Sequence, residues 1–338
     1  MKKMKILPVR AAKCCLMIMA GLFLICSTAA YGQAKAGATH KNGAGGLVDI
    51  SDMRMRDPFI LYDPVSGNYY TYANNRPGIK VYESKDLKNW RDLGNAFVAA
   101  PDFWGKSDFW APDCYYYRGK YYMMVTFSDT AKRRGTSILV SRYPHKDFKP
   151  LVNRPVTPKN WMCLDGALYI DAGKTPWLLF SREWLEVGDG EIYAQKLNRS
   201  FTHPIGDPVL LFRASEAPWV KEIYSRELDK KGMITDAPFI HRAADGTLML
   251  LWSSFDKQGK YAMGLAYSRS GNIHGPWVQA AQPLNQDDGG HGMFFRDKKG
   301  MLKMAYHAPN KFPERPVIKN VRIRNGVLDI SHDEAVQE

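Results

Sequence analysis

The 338-residue chain has little cysteine: five residues, three of which, Cys14, Cys15 and Cys26, fall in the first 32 positions. Cys114 and Cys163 are left. That number excludes a disulfide framework, and the spacing is not of the metal-binding type. They stand in the first strands of neighbouring repeats, so a pairing and two buried thiols both stay open. Acidic residues are absent from residues 1–32, where Lys2, Lys3, Lys5, Arg10 and Lys13 surround and precede the apolar run Cys14 to Cys26. The run is short for a membrane span. With Ala30-Tyr31-Gly32 as a small-x-small cleavage site, it predicts a secretory signal peptide over 1–32 and a mature N-terminus near Gln33, with no membrane span in the mature chain. An uncleaved anchor is the alternative. A lipid on Cys26 lacks the usual small residues before it, since Phe23-Leu24-Ile25 stand there. Long amphipathic helical periods are scarce, which excludes a helical bundle. A dense basic stripe is missing too. The net charge is +13, or +8 without the leader, and it is scattered, with short runs such as Lys132-Arg133-Arg134 and Lys230-Lys231. Nucleic acid is therefore excluded as a partner.

What is present is repetition. Residues 33–50, rich in Gly, Ala and Lys, read as a flexible leader. From residue 51 to 338 no composition break marks a second domain. Arg56-Asp57-Pro58-Phe59-Ile60 leads through an apolar strand, a Gly67-Asn68 turn and the aromatic run Tyr69-Tyr70-Thr71-Tyr72. The phrase recurs from Phe109-Trp110-Ala111-Pro112-Asp113, Leu164-Asp165-Gly166, Thr235-Asp236-Ala237-Pro238 and Gly290-His291-Gly292. Asp57, Pro112, Asp165, Asp236 and His291 follow one another at 55, 53, 71 and 55 residues. Repeats of roughly this length built from short alternating strands predict an all-β, five-bladed β-propeller, one four-stranded sheet per blade. The long third interval reads as one large loop between blades.

The first strand of each blade lines a propeller's central channel, so equivalent positions of the repeats converge. Asp57, Asp165 and Asp236 occupy the same place in three repeats by this alignment. A single Asp there would cap a turn or a strand start. Three on one axis shift one another's pKa and supply paired acid and base, the groups that glycosidic hydrolysis uses. Sugar sites also need aromatic platforms. Trp104, Phe109, Trp110 and Trp184 lie in or near loops that reach the channel mouth, and Trp110 is the chosen substrate contact. A lectin-like, non-catalytic carbohydrate-binding propeller is the competing reading, and it does not require the carboxylates.

These blade-leading motifs resemble those of glycoside hydrolase family 43 over roughly residues 52–320. The resemblance implies a five-bladed propeller that hydrolyses arabinofuranosyl or xylosyl linkages of plant-type oligo- or polysaccharides with inversion, secreted or periplasmic in this case. It implies Asp57 as general base, Asp165 as the carboxylate that tunes and orients the acid, and Asp236 as general acid. The family's acid is usually Glu before Gly-Pro or Ala-Pro; Asp236 is one methylene shorter. Ser215-Glu216-Ala217-Pro218-Trp219 spells that tripeptide but lacks the strand–turn–strand phrase after it, so Glu216 is the alternative acid. The resemblance also implies that His291 faces the channel, as a substrate contact and as a partner of a water-coordinated calcium, with a satisfied channel histidine as the plain alternative. No cofactor is required. Arg315 resembles the family's late arginine that pairs with the acids; an exposed loop arginine is the alternative.

Overall fold

The computed structural model describes residues 46–226, 228–324 and 327–330. The signal peptide, the Gln33 terminus and Cys26 fall outside the described residues.

Five antiparallel sheets form the blades of a propeller. The first contains β1 (Leu47–Asp49), β2 (Ile60–Tyr62), β3 (Tyr69–Asn75), β4 (Gly78–Ser84) and β5 (Asn89–Val98). The second contains β6 (Ser107–Tyr117), β7 (Lys120–Ser128), β8 (Arg134–Ser141) and β9 (Lys149–Pro150). The third runs β10 (Cys163–Ile170), β11 (Pro176–Arg182), β12 (Glu191–Lys196) and β13 (Val209–Arg213), with the helical turn α1 (Trp184–Val187) after β11. A hairpin, β14 (Ile223–Ser225) and β15 (Lys230–Gly232), precedes the fourth blade. That blade is β16 (Asp236–Arg242), β17 (Leu248–Phe255), β18 (Tyr261–Ser268) and β19 (Val278–Gln279). The fifth is β20 (Gly290–Arg296), β21 (Leu302–Ala308), β22 (Arg315–Arg324) and β23 (Val327–Ile330).

Two expectations need correction. The 71-residue interval is not one large loop: it holds the outer strand β13, a 3-10 turn at Ala214–Glu216 and the β14–β15 hairpin. The leader boundary at residue 50 falls too late. Leu47–Asp49 already pair with Asn89–Arg91 of β5, because Val48 and Ile50 find apolar cover on the first blade.

Each repeat buries its sheet faces against its neighbours, which explains why the aromatic pairs recur. Phe97, Phe103, Phe109 and Phe127 pack edge-on between the first and second blades. Phe180 stacks on Tyr193 within the third, and Phe212 and Trp219 close on Trp252 between the third and fourth. Met249, Met263, Phe294 and Tyr306 fill the gap between the fourth and fifth. Polar ties cross the same seams. The turn carboxylate Asp63 caps Val65 and Ser66 and also accepts from the Tyr121 hydroxyl at 2.7 Å. The ring closes where the Met55 amide donates to the Glu314 carbonyl at 3.0 Å and the Lys298 amide donates to the Tyr69 hydroxyl at 2.8 Å. Cys114 and Cys163 are both buried, unpaired thiols.

Candidate active site

Four of the five blades open with a break in the first strand, and in the first blade the equivalent position lies just ahead of β2. Registers shift between Trp110 and Asp113, Leu164 and Ala167, Asp236 and Phe239, and Gly290 and Met293. The residue at the break is left-handed in all five blades: Asp57 (φ 54°), Ala111 (46°), Asp165 (54°), Ala237 (54°) and His291 (57°). None is glycine, and such backbone costs on the order of 1–3 kcal/mol at each site. The bulge turns three of those side chains, Asp57, Asp165 and His291, onto one another. Its amides are held from the preceding blade. The Asp57 amide donates to His307 Nδ1 (3.2 Å), that of Asp165 to the Thr126 hydroxyl (2.9 Å), and that of His291 to the Ser253 hydroxyl (2.9 Å). In the fourth blade the device changes. The Ala237 amide donates to Asp165 Oδ2 (2.9 Å), and Ser181, which holds the equivalent place on β11, keeps a buried hydroxyl without a partner.

The register also revises one alignment. Asp236 lies one position before the left-handed residue, level with Arg56, Trp110, Leu164 and Gly290, and not level with Asp57 and Asp165. It is nevertheless buried in the same centre, because Ala237 is tied to Asp165. The Tyr261 hydroxyl donates to Asp236 Oδ2 at 2.9 Å. A Cβ on Gly290 would lie 2.3 Å from the Tyr261 ring, so this glycine is what lets the tyrosine reach across.

The electrostatics divide the centre. His291 Nδ1 lies 3.0 Å from Asp57 Oδ1 and 3.8 Å from Asp165 Oδ2, so one imidazole spans both carboxylates. Burial opposes its charge, but Asp57 and then Asp165 raise it to about 10, and it is an imidazolium. Burial alone would raise the Asp57 carboxyl. His291 and Arg56 (Nε at 3.5 Å) outweigh that and hold it well below the usual carboxylate range. His307 has the opposite state. Its Nδ1 accepts the Asp57 amide, and burial lowers it to about 3, so its 3.4 Å approach to Asp57 is not an ion pair. Asp165 is raised to about 7 by burial, helped by Asp236 and Asp57. Burial raises Asp236 as well, with Tyr261, His291 and Arg56 pulling back. These two carboxyls titrate as a pair and keep a proton into the neutral range.

Three groups escaped the sequence reading. Asp113, half-buried, sits with Asp165, His291 and Ala237 around a cavity of about 10 Å³, room for roughly one water. Burial pushes it up to about 8. Its signal was legible: the residue following the bulge is Phe59, Ala167, Phe239 and Met293 in the other blades, and only the second blade has a carboxylate there. Arg56 is the arginine beside the acids; among the described ion pairs Arg315 makes none with them, and it opens β22. Arg134 binds Glu183 through both carboxylate oxygens and Asp108 through Nε (3.1 Å), and lies 4.6 Å over the Trp110 ring.

Among the loop aromatics, Phe109 and Trp184 are buried core, Trp104 is half-buried with its Nε1 donating to Ser137 (2.7 Å), and Trp110 is half-buried under Arg134. Glu216 is exposed at the end of a 3-10 turn, where its Oε1 accepts the Arg213 amide at 2.9 Å. Among the described residues no three His, Cys, Asp or Glu side chains are grouped for a metal; for a calcium coordinated mainly by water, His291 is the side chain at the channel that would border it.

The family model for glycosyl hydrolases family 43 matches residues 50–328. The chain belongs to that family. It is a glycosidase. The crystal structure of endo-arabinase from Bacteroides thetaiotaomicron VPI-5482 is 56% identical, covers 83% of this chain and 99% of its own, and superposes with a TM-score of 0.81. The extracellular exo-alpha-(1->5)-L-arabinofuranosidase ArbA of Cellvibrio japonicus (strain Ueda107) is 26% identical over 73% of this chain and 74% of its own. The extracellular endo-alpha-(1->5)-L-arabinanase 1 of Bacillus subtilis (strain 168) is 26% identical over 68% and 71%. The glycosidase membership sets aside the non-catalytic propeller.

Proposed function

We propose that this family 43 glycosidase hydrolyses arabinofuranosyl linkages of arabinan-type polysaccharide by single displacement with inversion. The observation that carries the mechanism is the division of charge. An ionised Asp57 among cations lies beside a carboxyl pair, Asp165 and Asp236, that retains a proton. In the reaction Asp57 Oδ1 takes the proton of the attacking water. The His291 imidazolium, 3.0 Å from that oxygen, holds the carboxylate ionised for this step. Asp236 gives its proton to the leaving oxygen. Since Tyr261 occupies Oδ2, the acidic proton belongs on Oδ1. Asp165 keeps the pair's proton affinity high and, through the Ala237 amide, fixes the backbone that carries the acid. His291 holds the base ionised and borders the substrate. Trp110 and Arg315 are proposed substrate contacts.

The arabinan preference rests on likeness to the 56% identical endo-arabinase and to the arabinofuranosidase and arabinanase above, and xylosyl linkages are the second substrate class to test. Export to the periplasm or medium rests on the leader and on those relatives' extracellular names. The deciding experiment follows the anomeric proton by NMR during hydrolysis of linear arabinan and of xylan. Initial release of the inverted anomer from arabinan is expected. Release of the retained anomer, or turnover of xylan alone, overturns the reading.

A further inference from the structure

The most exposed aromatic ring among the described residues is Phe312, at 69%, in the loop between β21 and β22. The loop ends where the first strands of the blades begin, beside the catalytic centre, and its polar side chains are tied into it. Arg56 Nη1 donates to Asn310 Oδ1 at 2.7 Å, and Glu314 pairs with Arg56 (3.9 Å) and Arg54 (3.7 Å). Arg54 in turn lies 4.1 Å over the Phe312 ring. A continuous chain of contacts therefore runs from the ring through Arg54, Glu314 and Arg56 to Asp57. Arg54 precedes Asp57 by three residues, so at most about 10 Å of backbone separates the platform's arginine from the base.

An apolar ring with one face under a guanidinium, and a guanidinium edge half open to water, matches carbohydrate chemistry. The C–H face of a sugar packs on the ring, and its hydroxyls find the guanidinium N–H donors. An isolated exposed Phe needs no explanation, but one whose loop is fastened through Asn310 and Glu314 to the arginine beside the base does. Resting on the arabinan reading above, we propose that Phe312 and Arg54 form a sugar subsite for a residue of the polymer neighbouring the one whose linkage is cut.

The test compares kcat/KM on linear arabinan with kcat/KM on p-nitrophenyl arabinofuranoside, which is too short to reach the platform. Phe312→Ala is expected to lower the ratio of the two about tenfold, the effect of truncating one aromatic contact, and Phe312→Tyr to restore it. A ratio unchanged within about twofold overturns the proposal. So does an equal loss on both substrates, which would mean that the loop only positions Arg56. If the wild-type enzyme cleaves neither substrate, the functional reading has failed separately. The subsite is then read by the affinity of Phe312→Ala for soluble arabinan in an affinity gel, where undiminished retention overturns it.

Discussion

Asp57 and Asp236 are both aspartates, both buried, and both fixed at the start of a first strand, yet their surroundings drive them apart. Asp57 has two cationic neighbours, His291 and Arg56, close enough to overcome burial. Asp236 has the Tyr261 hydroxyl, and the same His291 and Arg56 pull on it less than burial, with the Asp57 charge, pushes it up. One fold thus makes a base and an acid from the same residue type by what it packs beside them. The difference of one register position adds to this. Asp57 is the left-handed residue itself and meets His291 directly, whereas Asp236 stands a residue earlier, where Tyr261 can reach it.

The comparison breaks most visibly in leaving-group dependence. Asp57→Asn is expected to lower kcat by about 10³–10⁴ on every substrate, because water must lose a proton whatever leaves. Asp236→Asn is expected to cost about 10²–10⁴ on arabinan and far less on aryl glycosides whose leaving group needs no proton. Steady-state rates across aryl leaving groups of graded acidity check both. If Glu216→Gln shows the graded dependence and Asp236→Asn does not, the acid has been misassigned.

Next in size is the imidazolium. His291→Gln leaves Asp57 buried with Arg56 as its remaining close cation. A loss of about 3–5 kcal/mol in unfolding free energy is expected, as for a buried pair stripped of one partner. The sign follows from linkage. His291, raised to about 10, lends stability that is complete below its unfolded value of 6.5 and disappears as pH rises through 10. Asp57, lowered, lends stability that is present above its unfolded value of 3.8 and disappears as pH falls. Denaturant melts of the wild type should therefore show both losses, and those of His291→Gln should lack the alkaline one.

Tyr261→Phe sharpens the acid side. The hydroxyl donates to Asp236 and favours its ionised form, so removing it raises the acid's pKa. The alkaline limb of kcat/KM is expected to move up by about one pH unit, with a modest fall in kcat. A merely structural tyrosine would lower the rate and leave the limb in place.

The fold is readable because the repeats restate one phrase, and Asp57, Asp165 and His291 are readable because they stand at the same point of it. Asp236 is visible in the sequence but its register is not: a bulge adds a residue without leaving a gap in the sequence, and Pro238 follows Asp236 at two positions where Pro58 follows Asp57 at one. Arg56 is harder to read than Arg315, since nothing in a linear motif reports that a chain closing a ring turns the residue before the base toward Glu314 and Asn310. Glu183 and Arg134 come from different blades, and only tertiary packing pairs them and sets Arg134 over Trp110.

Asp113 gives the smallest effect and the most discriminating one. It stands where the other four blades carry apolar residues, and with a pKa near 8 it is a neutral carboxylic acid at pH 7. Asn has nearly its shape and no charge to lose, so Asp113→Asn is expected to change kcat/KM on arabinan less than about threefold at pH 6–7. In stability the two enzymes should part as pH rises from 3.8 through 8. The wild type gains a negative charge next to Asp165 and His291, and the stability that its protonated form lends is lost as pH rises through 8; the Asn variant is spared that loss. Unfolding curves at pH 6 and pH 9 measure the difference. A large loss at pH 6 would mean that Asp113 is ionised and counts among the working carboxylates, and the two-part division between Asp57 and Asp236 would have to admit a third charge.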